Sequence, residues 1–304
     1  MYDIIIVGSG PAGLTAALYA RRMGKTVLVL EKSTFGGQVT FSPKIENFPG
    51  TLQMSGNEFA DRMVEQALSQ GAEIELEEVT AVEDHGDFKT VVTEDGVHEG
   101  RSVILANGVK HRQLGLPRED DFVGEGISYC AVCDGAFYKG QHVAVIGGGN
   151  SALQEAILLS EICSRVTIVQ NLPVLTGEQS LVDVLAARDN VDYIMGTVVD
   201  GILDDGKFRG LRLKNEASGI LSDLNVDGVF VAIGLEPVNS PFAGVAALDE
   251  RGYFASGEDC ATRTPGVFAA GDCRRKNVRQ ITTAVADGAA AALAACRYVD
   301  SLGV

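Results

Sequence analysis

The sequence predicts an α/β protein with two Rossmann-like three-layer domains. The first observation is a pattern of strand, glycine-rich turn and helix, which occurs at Gly8 and again at Gly147. The second is the spacing, since Glu31 follows Gly8 by 23 positions and Gln170 follows Gly147 by 23 positions. The third is the length of 304 residues, which allows two domains with separate cores. Together these features indicate a duplicated nucleotide-binding unit.

The first copy carries a complete dinucleotide-binding fingerprint. A buried strand over 3–7 leads into the turn, a helix follows over 13–23, and a second strand over 26–30 ends at Glu31. The turn comprises Gly8, Ser9, Gly10, Pro11, Ala12 and Gly13. Such glycines let a pyrophosphate approach the backbone at a helix N-terminus, and the acid binds ribose hydroxyls. The pattern therefore predicts a nucleotide site here.

The stretch after Glu31 reads as a long loop punctuated by glycine and proline. It contains Gly36-Gly37-Gln38 and Ile45-Glu46-Asn47-Phe48-Pro49-Gly50. A loop of this length and composition suits the wrapping of a large cofactor, and the alternative is an ordinary surface loop.

The second copy departs from the first at the residue that selects the nucleotide. Its turn, Gly147-Gly148-Gly149-Asn150-Ser151-Ala152, is followed by a helix to about Ile162 and a strand over 165–169. A site for NADPH needs arginine just past this strand to neutralise the 2′-phosphate. Between Val166 and Ala187 there is no lysine or arginine, and Gln170 stands where the first copy has its acid. An amide at this position can still hydrogen-bond the ribose of NADH.

Two cysteines near the middle of the chain are candidates for redox chemistry. Cys130 and Cys133 are separated by two residues, and Asp134 follows directly. This spacing suits a reducible disulfide, and an adjacent carboxyl group can move the proton that exchange requires. The alternatives are half of a zinc site or two buried structural cysteines. Zinc is disfavoured because the sequence has no second Cys-x-x-Cys or Cys-x-x-His pair.

The remaining segments resemble each other in the two halves. A helix is predicted over 56–70, and short strands over 72–105 lead to Gly108. Short strands over 191–233 end at Gly234 in the same way. Prolines at 117, 237 and 241 indicate crossings between domains.

A further strand near the C-terminus ends at Gly271-Asp272. An Asp at the carboxyl end of such a strand is well placed to bind a polyol, and the alternative is a turn-forming Gly-Asp pair. The last helix is predicted from near Gln280 to about Asp300, so that its positive N-terminal end can face a cofactor. Just before it lies the one dense basic cluster of the sequence, Arg274, Arg275, Lys276 and Arg279.

Composition restricts the partners and the compartment. A formal net charge of −16 argues against nucleic acids and anionic membranes as partners. No apolar run is long enough to span a membrane, and no charged and apolar leader precedes the first strand. Six cysteines with one close pair do not form a disulfide framework. A soluble, cytoplasmic protein is therefore expected.

Taken together, these motifs resemble the low-molecular-weight thioredoxin reductases over essentially the whole chain. The matching stretches are Gly8–Gly13, Gly36–Gln38, Cys130–Asp134, Gly147–Ala152, Pro265–Asp272 and Arg279–Ile281, in the family's order. The resemblance implies a discontinuous FAD domain over 1–112 and 241–304, and an inserted domain over 113–240 that carries the cysteines. It also implies a homodimer that acts on thioredoxin.

The resemblance assigns roles to individual residues. Cys130 would attack the protein substrate, Cys133 would lie next to the flavin, and Asp134 would be the general acid. The candidate cofactor-binding residues are Gly8, Gly10, Pro11, Ala12, Gly13, Glu31, Gly37, Gln38, Asn47, Gly108, Gly271, Asp272, Arg279, Gln280 and Ile281, and no metal ligand is expected.

The missing phosphate clamp resembles the branch of this family that takes electrons from ferredoxin. The leading hypothesis is thus an FAD enzyme reduced by ferredoxin or a similar carrier, which docks on the basic cluster at Arg274 to Arg279. A second hypothesis keeps NADPH or NADH as the donor, because the Gly147–Ala152 turn is intact. A third is a flavin-binding interaction or sensor protein with a structural dithiol.

Overall fold

The computed structural model describes residues 1–42 and 44–303. The chain forms two compact units, one of Met1–Lys110 with the chain from Glu236 onward, and one of His111–Leu235. The division falls at 110/111 and 235/236, whereas the predicted domain boundaries are 112/113 and 240/241.

The strands follow the predicted runs closely. In chain order they are β1 (Tyr2–Val7), β2 (Val27–Glu31), β3 (Glu73–Leu76), β4 (Val79–Asp84), β5 (Lys89–Thr93), β6 (Val97–Leu105), β7 (Lys110–His111), β8 (Ile127–Ser128), β9 (His142–Ile146), β10 (Arg165–Val169), β11 (Val191–Ile194), β12 (Thr197–Asp204), β13 (Phe208–Asn215), β14 (Leu221–Asn225), β15 (Gly228–Val231), β16 (Leu235–Glu236) and β17 (Val267–Ala269).

The helices lie between these strands. They are α1 (Pro11–Arg22), α2 (Gly56–Ser69), α3 (Ala131–Asp134), α4 (Asn150–Ile162), α5 (Gln179–Ala186) and α6 (Ile281–Ser301). Short 3₁₀ helices cover Gly37–Phe41, Glu119–Phe122, Gly135–Tyr138, Ser240–Phe242 and Gly271–Cys273.

The first unit contains a mixed, mostly parallel sheet that is covered on both faces. Its order is β3-β2-β1-β6-β5-β4, with β17 beside β6, and antiparallel pairings join β4 to β5 and β5 to β6. Ile4 and Ile6 face a core shared with α1 and α6, while Ile5 and Val7 face a core on the opposite side. Alternate residues of β1 therefore fill two layers of packing, as expected of a buried parallel strand.

The second unit repeats this plan on a smaller scale. Its sheet has the order β11-β10-β9-β15-β8 with parallel pairing, and α4 packs against β9 and β10 through a core that includes Val143, Leu153 and Ile168. A separate antiparallel sheet, β12-β13-β14, completes the unit. The two Rossmann-like units predicted from the sequence are thus present.

The glycine-rich turns fix where α1 and α4 begin. Gly8 has a φ of +102°, and a Cβ there would lie 2.5 Å from the Ala106 carbonyl oxygen. Gly147 has a φ of +128°, and a Cβ there would lie 2.5 Å from the Ala232 carbonyl oxygen. Both contacts exclude any side chain. Each helix N-terminus is consequently held at the carboxyl edge of its sheet, where α/β proteins bind ligands.

Two local elements differ from the sequence-based predictions. The loop after Glu31 contains the 3₁₀ helix Gly37–Phe41, and the stretch after Gln170 contains α5. Each is a short helix that follows a glycine-containing loop. A helix this short has too few residues for its hydrophobic periodicity to be distinguished from the loop before it. In the described part of the chain, no helix is both long and apolar enough to cross a membrane.

The contact between α1 and α6 depends on a glycine. A Cβ added at Gly288 would lie 2.2 Å from the Ala12 carbonyl oxygen, a backbone atom that cannot move aside on its own. Gly288→Ala should therefore lower the free energy of unfolding of the first unit by about 2 kcal/mol, because the two helices must separate. Urea unfolding measures this change.

Gly96→Ala is the matched control. Gly96 is exposed, and a Cβ there would meet no atom within 4 Å. We expect this variant to unfold at the wild-type urea concentration. Equal stability of the Gly288→Ala variant and the wild type would contradict the proposed packing constraint.

Candidate active site

Cys130 and Cys133 form a disulfide in the second unit. Cys130 directly precedes α3 and Cys133 lies within it, and their Cα atoms are 5.3 Å apart. The Cys133 N–H donates to the Cys130 sulfur at 3.2 Å. A backbone N–H aimed at a sulfur favours its thiolate form, which is the form that attacks or leaves in exchange.

Asp134 lies next to this pair and is tied to it by a serine. Ser128 Oγ donates to Asp134 Oδ2 at 2.7 Å and accepts the Cys130 N–H at 3.1 Å. The other oxygen, Oδ1, is buried without a hydrogen-bond partner among the described residues. Burial raises the pKa of Asp134, although the Ser128 hydrogen bond opposes the shift. The carboxyl group therefore keeps its proton to higher pH than an exposed Asp, as a general acid requires.

The glycine turn of the first unit fits a bound nucleotide. A Cβ at Gly13 would lie 1.9 Å from the Gly8 carbonyl oxygen, so protein packing alone demands glycine there. Gly10 is different, because its φ is −69° and the nearest atom to an added Cβ, the Gly36 carbonyl oxygen, is 3.9 Å away. The protein itself leaves room for a side chain at Gly10. This open space fits the close approach of a phosphate that the sequence pattern predicts at Gly10.

Glu31 is held beside this turn. Its Oε2 accepts hydrogen bonds from Ser9 N at 2.8 Å and Ser9 Oγ at 2.9 Å. Its Oε1 accepts only a longer bond from Ser33 N, at 3.2 Å, among the described residues. One oxygen thus braces the turn, and the other has capacity left for a ribose hydroxyl, which is the role predicted for Glu31.

Asp272 offers an unpartnered acceptor in the same unit. It lies on the 3₁₀ helix Gly271–Cys273, and a Cβ at Gly271 would lie 2.9 Å from the Ala12 side chain, so this helix touches the start of α1. Asp272 Oδ1 is buried and has no partner among the described residues. Burial raises the pKa of Asp272 to about 6, even though Lys276 and Arg279 oppose the shift. A buried acceptor of this kind fits the hydroxyls of a polyol chain.

Several other predicted cofactor residues lie near these groups. Asn47 Nδ2 donates to Gln280 Oε1 at 3.3 Å, and Gln280 caps α6 directly before Ile281. Arg279 stacks on the Tyr253 ring at 4.2 Å and donates to the Asp272 carbonyl oxygen at 3.2 Å.

The glycines of the loop and of β6 occupy defined positions as well. An added Cβ at Gly37 would lie 3.2 Å from Gly10 Cα, which places the loop against the nucleotide turn, and Gln38 follows on the same 3₁₀ helix with its side chain exposed. Gly108, with a φ of +65°, donates a backbone hydrogen bond to the Cys273 thiol. The residues present therefore fit the FAD that the resemblance implies.

Sequence reasoning missed two buried groups. Asn107 Oδ1 has no partner among the described residues, although its amide nitrogen donates to Asn239 Oδ1 at 2.9 Å. Glu155 on α4 also has a buried oxygen without a partner. Nothing in the local pattern distinguishes either residue from an exposed polar side chain. The position of each next to a cofactor-type turn or a cysteine pair is visible only in the fold.

The prediction of a basic docking surface at Arg274 and Lys276 is wrong. Arg274 is 2% exposed and binds Asp287 through two hydrogen bonds of 2.8 and 2.7 Å. Lys276 binds the same carboxylate at 2.8 Å, with 7% of its side chain exposed. Asp287 Oδ2 also accepts the Gly271 N–H at 2.9 Å, so these charges brace the turn that carries Asp272. Only Arg275 of the cluster is exposed.

The second glycine turn is covered by the chain that follows β10. Gln170 is buried, and a Cβ at Gly148 would lie 2.5 Å from its Nε2. The N–H groups of Thr176 and Gly177 donate to the Gly148 carbonyl oxygen at 2.8 and 3.0 Å. The surface beside this turn is partly apolar and carries the exposed Glu178, whose Oε1 accepts a hydrogen bond from Asn150 Nδ2 at 2.9 Å.

In the fold, part of the stretch between Val166 and Ala187 that lacks lysine and arginine lies at the surface. Leu172 and Val174 are 43% and 60% exposed where the sequence lacks arginine. The first cation after the gap, Arg188, pairs with Glu161 at 2.9 Å. Described residues 170–187 therefore offer no positive charge to a 2′-phosphate.

The four other cysteines and one acidic cluster among the described residues are accounted for by burial and by hydrogen bonds. Cys163, Cys260, Cys273 and Cys296 are free and buried, and burial raises the pKa of each thiol. The cluster Glu75, Glu77 and His98 brings ligand atoms within 4.8 Å of one another. Glu77 already binds Thr93 at 2.7 Å and His98 at 3.0 Å, which accounts for the cluster without a metal.

Comparison with known proteins places these features in one group. The family model described as pyridine nucleotide-disulphide oxidoreductase matches residues 2–288. The chain is 40% identical to a thioredoxin reductase of Listeria monocytogenes, over 99% of this chain and 95% of the relative. It is 38% identical to the Bacillus subtilis thioredoxin reductase, over 99% and 96%. The crystal structure of thioredoxin reductase from Streptococcus pyogenes matches with a TM-score of 0.93 and 41% identity, over 99% of both chains.

The burial of the Asp272 carboxylate predicts a trade-off between the stability of the fold and the binding of FAD. Its folded-state pKa lies above the unfolded value, so its charge costs stability increasingly as pH rises from about 4 to about 6. Asp272→Asn should therefore stabilise the FAD-free protein by about 2 kcal/mol at pH 8 and by almost nothing at pH 4. It should also weaken FAD binding about tenfold, because a charged acceptor is lost.

Thermal unfolding at the two pH values and fluorescence titration with FAD measure these effects. Asp189→Ala, at an exposed position on the other unit, is the control and should change neither quantity. Unchanged FAD affinity of the Asp272→Asn variant would remove Asp272 from the cofactor site.

Proposed function

Because the chain belongs to the pyridine nucleotide-disulphide oxidoreductase family, within its low-molecular-weight thioredoxin reductases, we propose that it reduces the disulfide of a thioredoxin through Cys130 and Cys133. The observation that carries the proposal is the Cys130–Cys133 disulfide next to Asp134. The chain is an oxidoreductase, and this sets aside the hypothesis of a sensor with a structural dithiol.

FAD is the cofactor, and when bound it supplies the two electrons that open the disulfide. The first unit holds it with the Gly8–Gly13 turn at the pyrophosphate, Glu31 at the ribose and Asp272 at the polyol. The Asp287 carboxylate keeps the Gly271–Asp272 turn in place through the Gly271 N–H. Each of these roles is a proposal for the residue named.

Exchange with thioredoxin then proceeds in two displacements. The Cys130 thiolate attacks one sulfur of the thioredoxin disulfide, the S–S bond breaks, and the leaving thiolate takes a proton. Cys133 next attacks Cys130, re-forms the enzyme disulfide and releases the second thioredoxin thiol. Asp134 is placed to supply a proton at this centre, because its carboxyl group is fixed by Ser128. The enzyme dithiol is oxidised as the thioredoxin disulfide is reduced.

The comparisons support a reduced pyridine nucleotide as the electron donor better than a ferredoxin. The matching family is described by its pyridine nucleotide, and the relatives reported above are named without a ferredoxin. The stretch 170–187 has no lysine or arginine and carries the acidic Glu178 and Asp183, which favours NADH over NADPH, since nothing there can pair with a 2′-phosphate.

Ferredoxin remains the second candidate donor. The absence of cations at 170–187 favours it over NADPH, because a ferredoxin needs no site for a 2′-phosphate. The burial of Arg274 and Lys276 removes the docking surface first predicted for it. A homodimer stays a prediction that rests on the resemblance, and a cytoplasmic location stays a prediction that rests on the composition of the sequence.

The choice of donor is measured by anaerobic stopped-flow bleaching of the flavin band with NADH, NADPH or reduced ferredoxin. We expect NADH to bleach the flavin faster than NADPH. Asn171→Arg combined with Leu172→Arg should raise the rate with NADPH at low concentration about tenfold, since a charge-assisted contact to phosphate is worth about 1.5 kcal/mol or more.

Val184→Arg adds one positive charge at another exposed apolar position of the same unit and should leave the preference unchanged. Bleaching by ferredoxin while both nucleotides fail would replace the nucleotide proposal with the ferredoxin one.

Asp134 should control exchange in a pH-dependent way. Asp134→Asn should slow the single-turnover reduction of a thioredoxin disulfide by the pre-reduced enzyme about 100-fold, because a general acid contributes at least this much. The raised pKa of Asp134 means that the acid form is lost as pH rises through it. The rate of the wild type should therefore fall as pH rises through the pKa of Asp134. The rate of the variant should show no such fall.

Asp183→Asn is the control, because Asp183 is exposed on α5 and is bonded only to Gln179 among the described residues. It should keep the wild-type profile. An Asp134→Asn variant with the wild-type rate and pH profile would show that another group supplies the proton.

A further inference from the structure

Glu155 lies behind the short helix that carries the cysteines. α3 packs against α4, and the backbone N–H of Ala131, the residue directly after Cys130, favours the ionised form of Glu155 on α4. Ala131 itself is 2% exposed and shares a core with Ala152 and Ala156. The carboxyl group of Glu155 thus lies on the helix that packs behind the first turn of α3.

Two carboxyl groups at this centre have unused acceptor capacity. Glu155 Oε2 and Asp134 Oδ1 are both buried and have no hydrogen-bond partner among the described residues. An unpartnered buried carboxylate oxygen is costly unless the group carries a proton. The two groups also sense each other, because an ionised Asp134 disfavours the ionised form of Glu155.

Burial is the main reason why the pKa of Glu155 rises to about 7, and the charge of Asp134 adds to it, while the Ala131 N–H opposes the shift. The other elements packed on α4 carry His142, Arg165, Asp183 and Tyr138. His142 bonds Thr167, Arg165 pairs with Asp192, and Asp183 bonds Gln179. Burial raises the pKa of Tyr138 to about 12, which keeps it neutral. Asp134 is the titratable neighbour that acts on Glu155.

We propose that Glu155 is a positioning residue of the redox centre, which holds the first turn of α3 through the Ala131 N–H and keeps a proton in reserve beside Asp134. This inference rests on the proposed exchange of Cys130 and Cys133 with a thioredoxin disulfide. It goes further because it gives a role to Glu155, the second carboxyl group near the cysteines.

The proton held on Glu155 can be used in the exchange reaction, because that reaction moves protons as well as electrons. Opening the enzyme disulfide with two electrons produces two thiolates and takes up two protons. The dithiol then passes two electrons and two protons to thioredoxin. Asp134 can deliver one proton at a time and Glu155 restores it, and the carboxyl groups regain these protons as the Cys130 and Cys133 thiols are deprotonated for their attacks, so they act only as a relay. While both groups are ionised, their negative charges disfavour a further thiolate.

The test is the pH profile of thiol alkylation by iodoacetamide in chemically reduced holoenzyme. Ionised Glu155 disfavours the nearby thiolate, so Glu155→Gln should lower the apparent pKa of the reactive thiol by about 0.5 or more, which is about threefold in thiolate on the rising limb. The wild-type profile should be broadened by the coupled Glu155 carboxyl group, and the profile of the variant should be narrower. Glutamine can still accept the Ala131 N–H, so helix α3 stays anchored.

Two further variants make the outcome decisive. Glu155→Asp keeps an ionisable group and should keep the broadened profile. Glu161→Gln, near the exposed end of α4, should behave as wild type. Identical thiol pKa and profile shape in Glu155→Gln and wild type would overturn the inference. This assay needs neither donor nor thioredoxin, so failure of the proposed function would leave the readout intact.

Discussion

The close approach of two backbone segments at each glycine turn is the constraint on which both candidate sites depend. At Gly8 and at Gly147 a carbonyl oxygen from a neighbouring strand occupies the place of a side chain. The chain can make this contact only with glycine at positive φ. It brings the N-termini of α1 and α4 to the carboxyl edges of their sheets. Loss of either contact would move a helix away from the edge where its ligand or its cysteine helix is positioned.

The two copies of this turn support different chemistry because their neighbours differ. In the first, Ser9 and Glu31 form a polar brace beside the space for a nucleotide. In the second, the Gln170 side chain packs on Gly148, and α4 supports the helix that carries Cys133. Arg274 and Lys276, the cations of the predicted docking surface, instead form ion pairs with Asp287. Duplication of a fold therefore does not duplicate its site.

Much of the fold was predictable, since buried strands and glycine turns carry strong local patterns. The strand over 165–169 appears at the predicted residues, and the Cys130–Cys133 disulfide is the one of the alternatives that the spacing favoured. The basic cluster was misjudged because a run of charges looks the same whether its partner is water or a distant Asp287. Glu155 and Asn107 were missed for a similar reason. Their burial depends on packing partners far away in the sequence, which periodicity does not reveal.

The central claim is that electrons enter at FAD and leave through the Cys130–Cys133 couple. An anaerobic titration with dithionite, followed by flavin absorbance, counts the electrons that each chain accepts. The account predicts two electrons for the flavin and two more for the disulfide, with the second pair lost in a Cys133→Ser variant. Uptake of only two electrons by the wild type, or a protein that retains no flavin, would contradict it.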